Sequence, residues 1–129
     1  ARAFATALEL DARLAEAQSG WGLSEHLRGN RASAIAHYRA ALALDEAHAD
    51  TYRRLGNVLL EAGDDHGAGE AFARAIGNAP GMTAAYVGHA RALCRSGKRD
   101  EGLARLEEAR RKPGYDPTSG EVALRDCAR

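Results

Sequence analysis

Gly29, Gly63 and Gly97 stand at equal intervals of 34 residues, and the residues around them keep step. The same shift lays Gly22 on Gly56, Ala34 on Ala68 and Gly102, and Tyr52 on Tyr86. It carries Phe4 to Tyr38, Phe72 and Leu106, and Ala7 to Ala41, Ala75 and Ala109. Small side chains fall on small ones and large on large. A fixed period of this length marks units that cannot bury an apolar face alone and must stack on their neighbours. That constrains the chain to a repeat architecture before anything else about it is considered.

Each period reads as two antiparallel helices. In the second, Tyr52, Leu55, Leu59 and Leu60 follow helical spacing. Gly63 can then adopt the left-handed conformation that ends a helix, and Asp64 can cap the next one by accepting amide protons of its first turn. Asn30 is expected to cap in the same way one period earlier. Pro80 stops the following helix, while Asp116 and Pro117 mark the start of a last one. The spacing predicts a lone helix over 2–11, pairs over 15–28 with 31–44, 49–62 with 65–78 and 83–96 with 99–111, and a closing helix over 117–128. Gly67 and Gly69 predict a loose first turn in the helix they open, because glycine costs up to ~1 kcal/mol against alanine there.

These positions resemble the tetratricopeptide repeat, whose pattern W-x2-L-G-x2-Y is followed by small residues, an aromatic and a proline. Tyr52, Leu55, Gly56, Leu59, Gly63, Ala68, Phe72, Ala75 and Pro80 carry the resemblance best. Gly22, Gly29, Ala34, Tyr38 and Ala41 carry it in the first period, and Tyr86, Gly97, Leu106 and Ala109 in the third. Trp21, Glu25 and His89 depart from it. The resemblance implies an all-α fold, an α-solenoid of antiparallel helix pairs in a right-handed superhelix. As one domain over 1–129, it would comprise the second helix of a partial repeat (1–14), repeats over 15–48, 49–82 and 83–116, and a closing helix over 117–129. The partial repeat implies an array continuing upstream, with Phe4 and Leu8 partly exposed and self-association possible through the N-terminal end.

Composition narrows the function classes. Lys+Arg and Asp+Glu balance at 18 each, so no global field drives the chain onto nucleic acid or anionic lipid. No run of ~20 apolar residues is present to span a membrane. His26, His37, His48, His66 and His89 lack the helical pairing of a zinc motif. No metal, cofactor or catalytic role is expected, and His89 reads as a core histidine with one hydrogen bond. Cys94 and Cys127 are too few for a disulfide scaffold in a chain this long, so free thiols and a cytoplasmic location are expected.

In the family this sequence resembles, the first helix of each repeat lines a concave surface that holds a peptide or a helix. Carried over through the matching positions, that surface includes Arg53, Arg54, Asn57 and Leu60, then Val87, Arg91 and Arg95, the residues expected to bind a partner. Arg53 and Asn57 resemble the start of a carboxylate clamp, but Gly88 and Ala84 stand where its remaining polar groups would be needed. The implied function is a non-enzymatic protein-protein interaction module. Its expected ligand is an acidic or carboxylate-ended peptide, met by a locally basic patch with Leu60 and Val87 as apolar contacts. A recruiting or regulatory arm of a larger enzyme, such as a glycosyltransferase or sulfotransferase, is the alternative.

Overall fold

The computed structural model describes residues 2–128, with side-chain surroundings from residue 9 onward. Seven helices follow one another among these residues: α1 (Arg2–Leu27), α2 (Arg31–Leu44), α3 (Ala49–Glu61), α4 (Asp65–Asn78), α5 (Thr83–Arg95), α6 (Arg99–Arg110) and α7 (Pro117–Ala128). Successive helices pack as antiparallel pairs, α1 with α2, α3 with α4 and α5 with α6, and the pairs stack through α2 on α3 and α4 on α5. The result is an all-α solenoid.

The turn inside each pair repeats. Gly29, Gly63 and Gly97 all have φ of 85°, a value that costs glycine little and other residues much. In each case the following amide reaches back over the helix end: Asn30 to the Glu25 carbonyl at 2.8 Å, Asp64 to Leu59 at 2.9 Å and Lys98 to Leu93 at 2.9 Å. Asp64 then caps α4, its carboxylate accepting from the Gly67 amide at 2.9 Å. Gly67 also has a steric role, since a Cβ there would collide with the capping carboxylate. Gly69 is unconfined by comparison, its nearest neighbour being the Ala92 methyl at 3.6 Å. Asn30 makes no side-chain cap; its amide instead donates to the Glu25 carboxylate at 3.1 Å. An unforeseen cap opens α3, where His48 Nδ1 accepts from the Thr51 amide at 3.2 Å.

The separate helix expected over 2–11 is not formed. α1 runs unbroken from Arg2 to Leu27. The segment that would have turned, Asp11-Ala12-Arg13-Leu14, has neither glycine nor proline, and Ala, Arg and Leu are among the strongest helix formers. Both later junctions at this phase turn: Ala79-Pro80-Gly81-Met82 has proline and glycine, and Asp45-Glu46-Ala47-His48 turns without either because Asp45 accepts from the Ala47 amide and His48 caps α3, a role Leu14 cannot fill. The side chains of Phe4 and Leu8 lie outside the described residues.

Aromatic wedges fill the core. Phe72 is fully buried between α3 and α5, facing Gly56 and Gly88, where an added Cβ would press on its ring from both sides. Tyr38 is its counterpart one period earlier, fully buried and packed against Gly22. Its hydroxyl has no hydrogen-bond partner among the described residues. Desolvation raises the phenol's pKa, with the Arg54 and Arg53 charges only partly opposing. An unpaired buried hydroxyl costs about 1–3 kcal/mol. Tyr38→Phe, which restores the Phe72 residue type, is therefore expected to raise stability by about 1 kcal/mol in urea unfolding. A lowered midpoint would show that the hydroxyl is satisfied.

Candidate functional site

The first helices α3 and α5 lie side by side, and α7 folds back against α5 as a third wall. Together they enclose an open cleft of about 290 Å³. Asn57 enters it from α3; Ala84, Val87, Gly88 and Arg91 come from α5; Ser119 and Val122 come from α7, with Asp116 at its mouth. Gly88 is held small by Phe72 beneath it. The floor is apolar through Val87, Ala84 and Val122, and the rim carries amide, hydroxyl and charge.

Carboxylates already occupy the arginines. Arg53 donates from both Nε and Nη2 to Asp50 Oδ1, at 3.1 and 2.8 Å. Arg54 Nη2 lies 3.2 Å from the other oxygen of Asp50, while its Nη1 donates to Ser19 Oγ at 3.0 Å. Desolvation alone would raise the Asp50 pKa. The Arg53 hydrogen bond and the Arg53, Arg54 and His48 charges outweigh it and hold the carboxyl below its usual range. Arg91 donates from Nε to Asp126 Oδ2 on α7 at 2.7 Å. Arg95 Nε sits 3.0 Å from Asp65 Oδ1, an ion pair whose alignment falls short of a hydrogen bond.

The basic patch expected from these four residues is thus neutralised side chain by side chain. Leu60 is 3% exposed and belongs to the core, so it offers no contact to a ligand. Asn57 is exposed, and Val87, although largely buried, shows its remaining surface to the cleft. Of the residues assigned from sequence, Asn57, Val87 and Arg91 are brought together; Arg53, Arg54 and Arg95 lie outside the cleft's lining. Sequence reasoning missed the whole α7 wall.

A disulfide fastens that wall. Cys94 on α5 and Cys127 on α7, 33 positions apart, are bonded. The expectation of free thiols is corrected, because the return of α7 along α5 brings together two cysteines that no local pattern pairs. A cytoplasmic location rested on free thiols and loses that support, since disulfides persist in oxidising surroundings.

Four of the five histidines meet side chains from other helices. His89 Nδ1 accepts from Arg105 Nε at 3.1 Å, and its pKa is lowered by desolvation and then by the Arg105 charge. His26 meets Glu61 at 2.7 Å, His48 meets Glu16 at 2.6 Å, and His37 meets Gln18 at 2.8 Å. No group of three or more potential metal ligands occurs among the described residues. Nor is any described helix long and apolar enough to cross a membrane.

A family model described as TPR repeat matches residues 22–63. The Arabidopsis OM64 TPR domain has the same fold, with a TM-score of 0.83 at 18% identity over 92% of this chain and 97% of that one. Residues 22–63 thus carry a TPR repeat, and the chain has the fold of solved TPR domains. A second TPR structure, the first TPR of Spaghetti (RPAP3) bound to HSP90 peptide SRMEEVD, superposes with a TM-score of 0.83 at 15% identity, over 91% of this chain and 92% of that one. The MamA protein is 31% identical over 79% of this chain, with a TM-score of 0.72, and this chain spans 56% of MamA's length. No curated protein sequence matches it.

Proposed function

We propose that this chain is a protein-interaction module whose cleft between α3, α5 and α7 binds an extended or helical segment of a partner protein. The observation that carries the reading is the composition of that cleft. An apolar floor of Val87, Ala84 and Val122 is flanked by exposed Asn57, which can hold a peptide amide in register, and by Ser119 and Arg91. The cleft is open to solvent, so a chain segment can lie across it. Support by analogy comes from the RPAP3 domain, which holds a peptide ending in Glu-Glu-Val-Asp.

The ligand's charge is decided at Arg91. Its guanidinium has five donors, and Asp126 engages Nε. A peptide carboxylate would share or displace Asp126, which makes an acidic or carboxylate-ended segment the favoured ligand and keeps its affinity modest while Asp126 competes. Capture of the partner followed by titration of its bound segment tests this. Val87→Glu should cost about 2 kcal/mol or more, because it puts a charge on the apolar floor. Arg91→Glu should cost about 2–4 kcal/mol through like-charge repulsion, and Asp126→Asn should strengthen binding by freeing Arg91. Affinity indifferent to all three substitutions, with helicity intact, would place the partner elsewhere.

A further inference from the structure

The outer face of α1 carries an apolar row that the other described residues leave uncovered. Leu10, Leu14, Ala17 and Trp21 follow at spacings of four, three and four, the alternation of a coiled-coil seam. Leu10, Leu14 and Trp21 are 54%, 46% and 55% exposed, and Ala17 is exposed beside them. Trp21 has one face occupied, stacked on the His37 ring at 4.0 Å between centroids. Toward the N-terminus the same spacing reaches Ala7 and Ala3. The row exists only because α1 is continuous; a break at 11–14 would have put Leu10 and Trp21 on different helices.

The row is also self-complementary in size. Reversed about Ala12, Leu10 exchanges with Leu14, Ala7 with Ala17, and Ala3 with Trp21. Two copies laid antiparallel set leucine on leucine at the centre of the row. A two-fold interface requires such a match of a surface with itself, whereas an unrelated partner does not. We propose that α1 is a dimerisation helix, pairing antiparallel with α1 of a second copy so that Leu10 of each meets Leu14 of the other. This surface is separate from the α3, α5 and α7 cleft and leaves it open. Asp11 and Arg13 flank the centre of the seam and meet their own copies there, with Glu9 and Glu16 one turn from Arg13 on its own helix. Salt screens such like-charge pairs, so the dimer should tighten as ionic strength rises.

Trp21 is the chain's one tryptophan and reports on the seam. Sedimentation across a concentration series, with tryptophan emission recorded on the same samples, should show a dimer forming as the emission moves to the blue. Leu10→Lys alone and Leu14→Glu alone should each weaken association by more than about tenfold at unchanged helicity. An equimolar mixture of the two variants should recover it. Antiparallel pairing then sets the introduced lysine on the introduced glutamate across one half of the seam, and leucine on leucine across the other. If a charged variant loses helicity, Leu10→Gln and Leu14→Gln serve in its place, expected to weaken association without recovery on mixing. A chain that stays monomeric at its highest soluble concentration overturns the proposal. So does a dimer indifferent to both substitutions or with unchanged emission, and so does a mixture of the charged variants no stronger than either alone.

Discussion

Replacing Phe72 with alanine is expected to lower stability by about 3–5 kcal/mol, the full cost of truncating a core aromatic. The cost of a truncation depends on how far its surroundings collapse into the space, and here they have little to move. Phe72 is fully buried, and the residues facing its ring are Gly56 on one side and Gly88 on the other, neither with a side chain to swing inward. A cavity should therefore persist between α3 and α5, the two helices that carry the cleft. The same geometry predicts the converse defect. A Cβ at Gly56 would stand 2.7–2.8 Å from three ring atoms of Phe72, so Gly56→Leu should cost about 1–3 kcal/mol by overpacking. The two substitutions should not add. In the Phe72→Ala background Gly56→Leu enters vacated space, and the double variant should be more stable than the sum of the singles implies. Urea midpoints at constant slope measure all three. A Phe72→Ala loss below about 1 kcal/mol, or strict additivity, would show that the ring is not confined between these glycines.

That local chemistry was open to reading from sequence, because turn glycines and small-on-large packing repeat in phase. Gly29, Gly63 and Gly97 each end a helix with positive φ, and Asp64 caps the next, as their residue types require. The turn expected at 11–14 is where phase misleads. Phe4 and Ala7 keep the repeat's register, but Leu14 offers no acceptor at the position where His48 caps α3, and local helix propensity prevails. The neutral groove was half visible. Asp50 stands three and four positions before Arg53 and Arg54, the spacing at which side chains on one helix meet, so two of the four arginines could have been paired on sight. Asp126 and Asp65 reach Arg91 and Arg95 from other helices, and only the packing of α7 on α5 and of α4 on α5 brings them there. The cleft's third wall was hidden for the same reason.

Removing the Cys94–Cys127 bond should lower stability by about 3–4 kcal/mol, the chain-entropy value for a cross-link closing a loop of this length. The loss should be uneven along the chain. α7 sits at the end of the solenoid and packs on α5 and α6 alone, so little else opposes its release. Its remaining ties are the Arg91 to Asp126 pair, the buried Ala123 and the packing of Tyr115 against Gly120. Cys94→Ala with Cys127→Ala is the cleaner form of the test, since serine would add hydroxyls to two largely buried sites. Amide exchange should then show residues 117–128 losing protection first, while α3 and α4 keep theirs. Because Ser119 and Val122 leave with α7, the variant should also bind a groove ligand more weakly, even where α3 and α5 remain folded. Thiol reduction of the wild-type chain should reproduce both effects. Unchanged protection over 117–128 after the bond is removed would mean that packing alone holds α7, and the disulfide would then have no part in shaping the cleft.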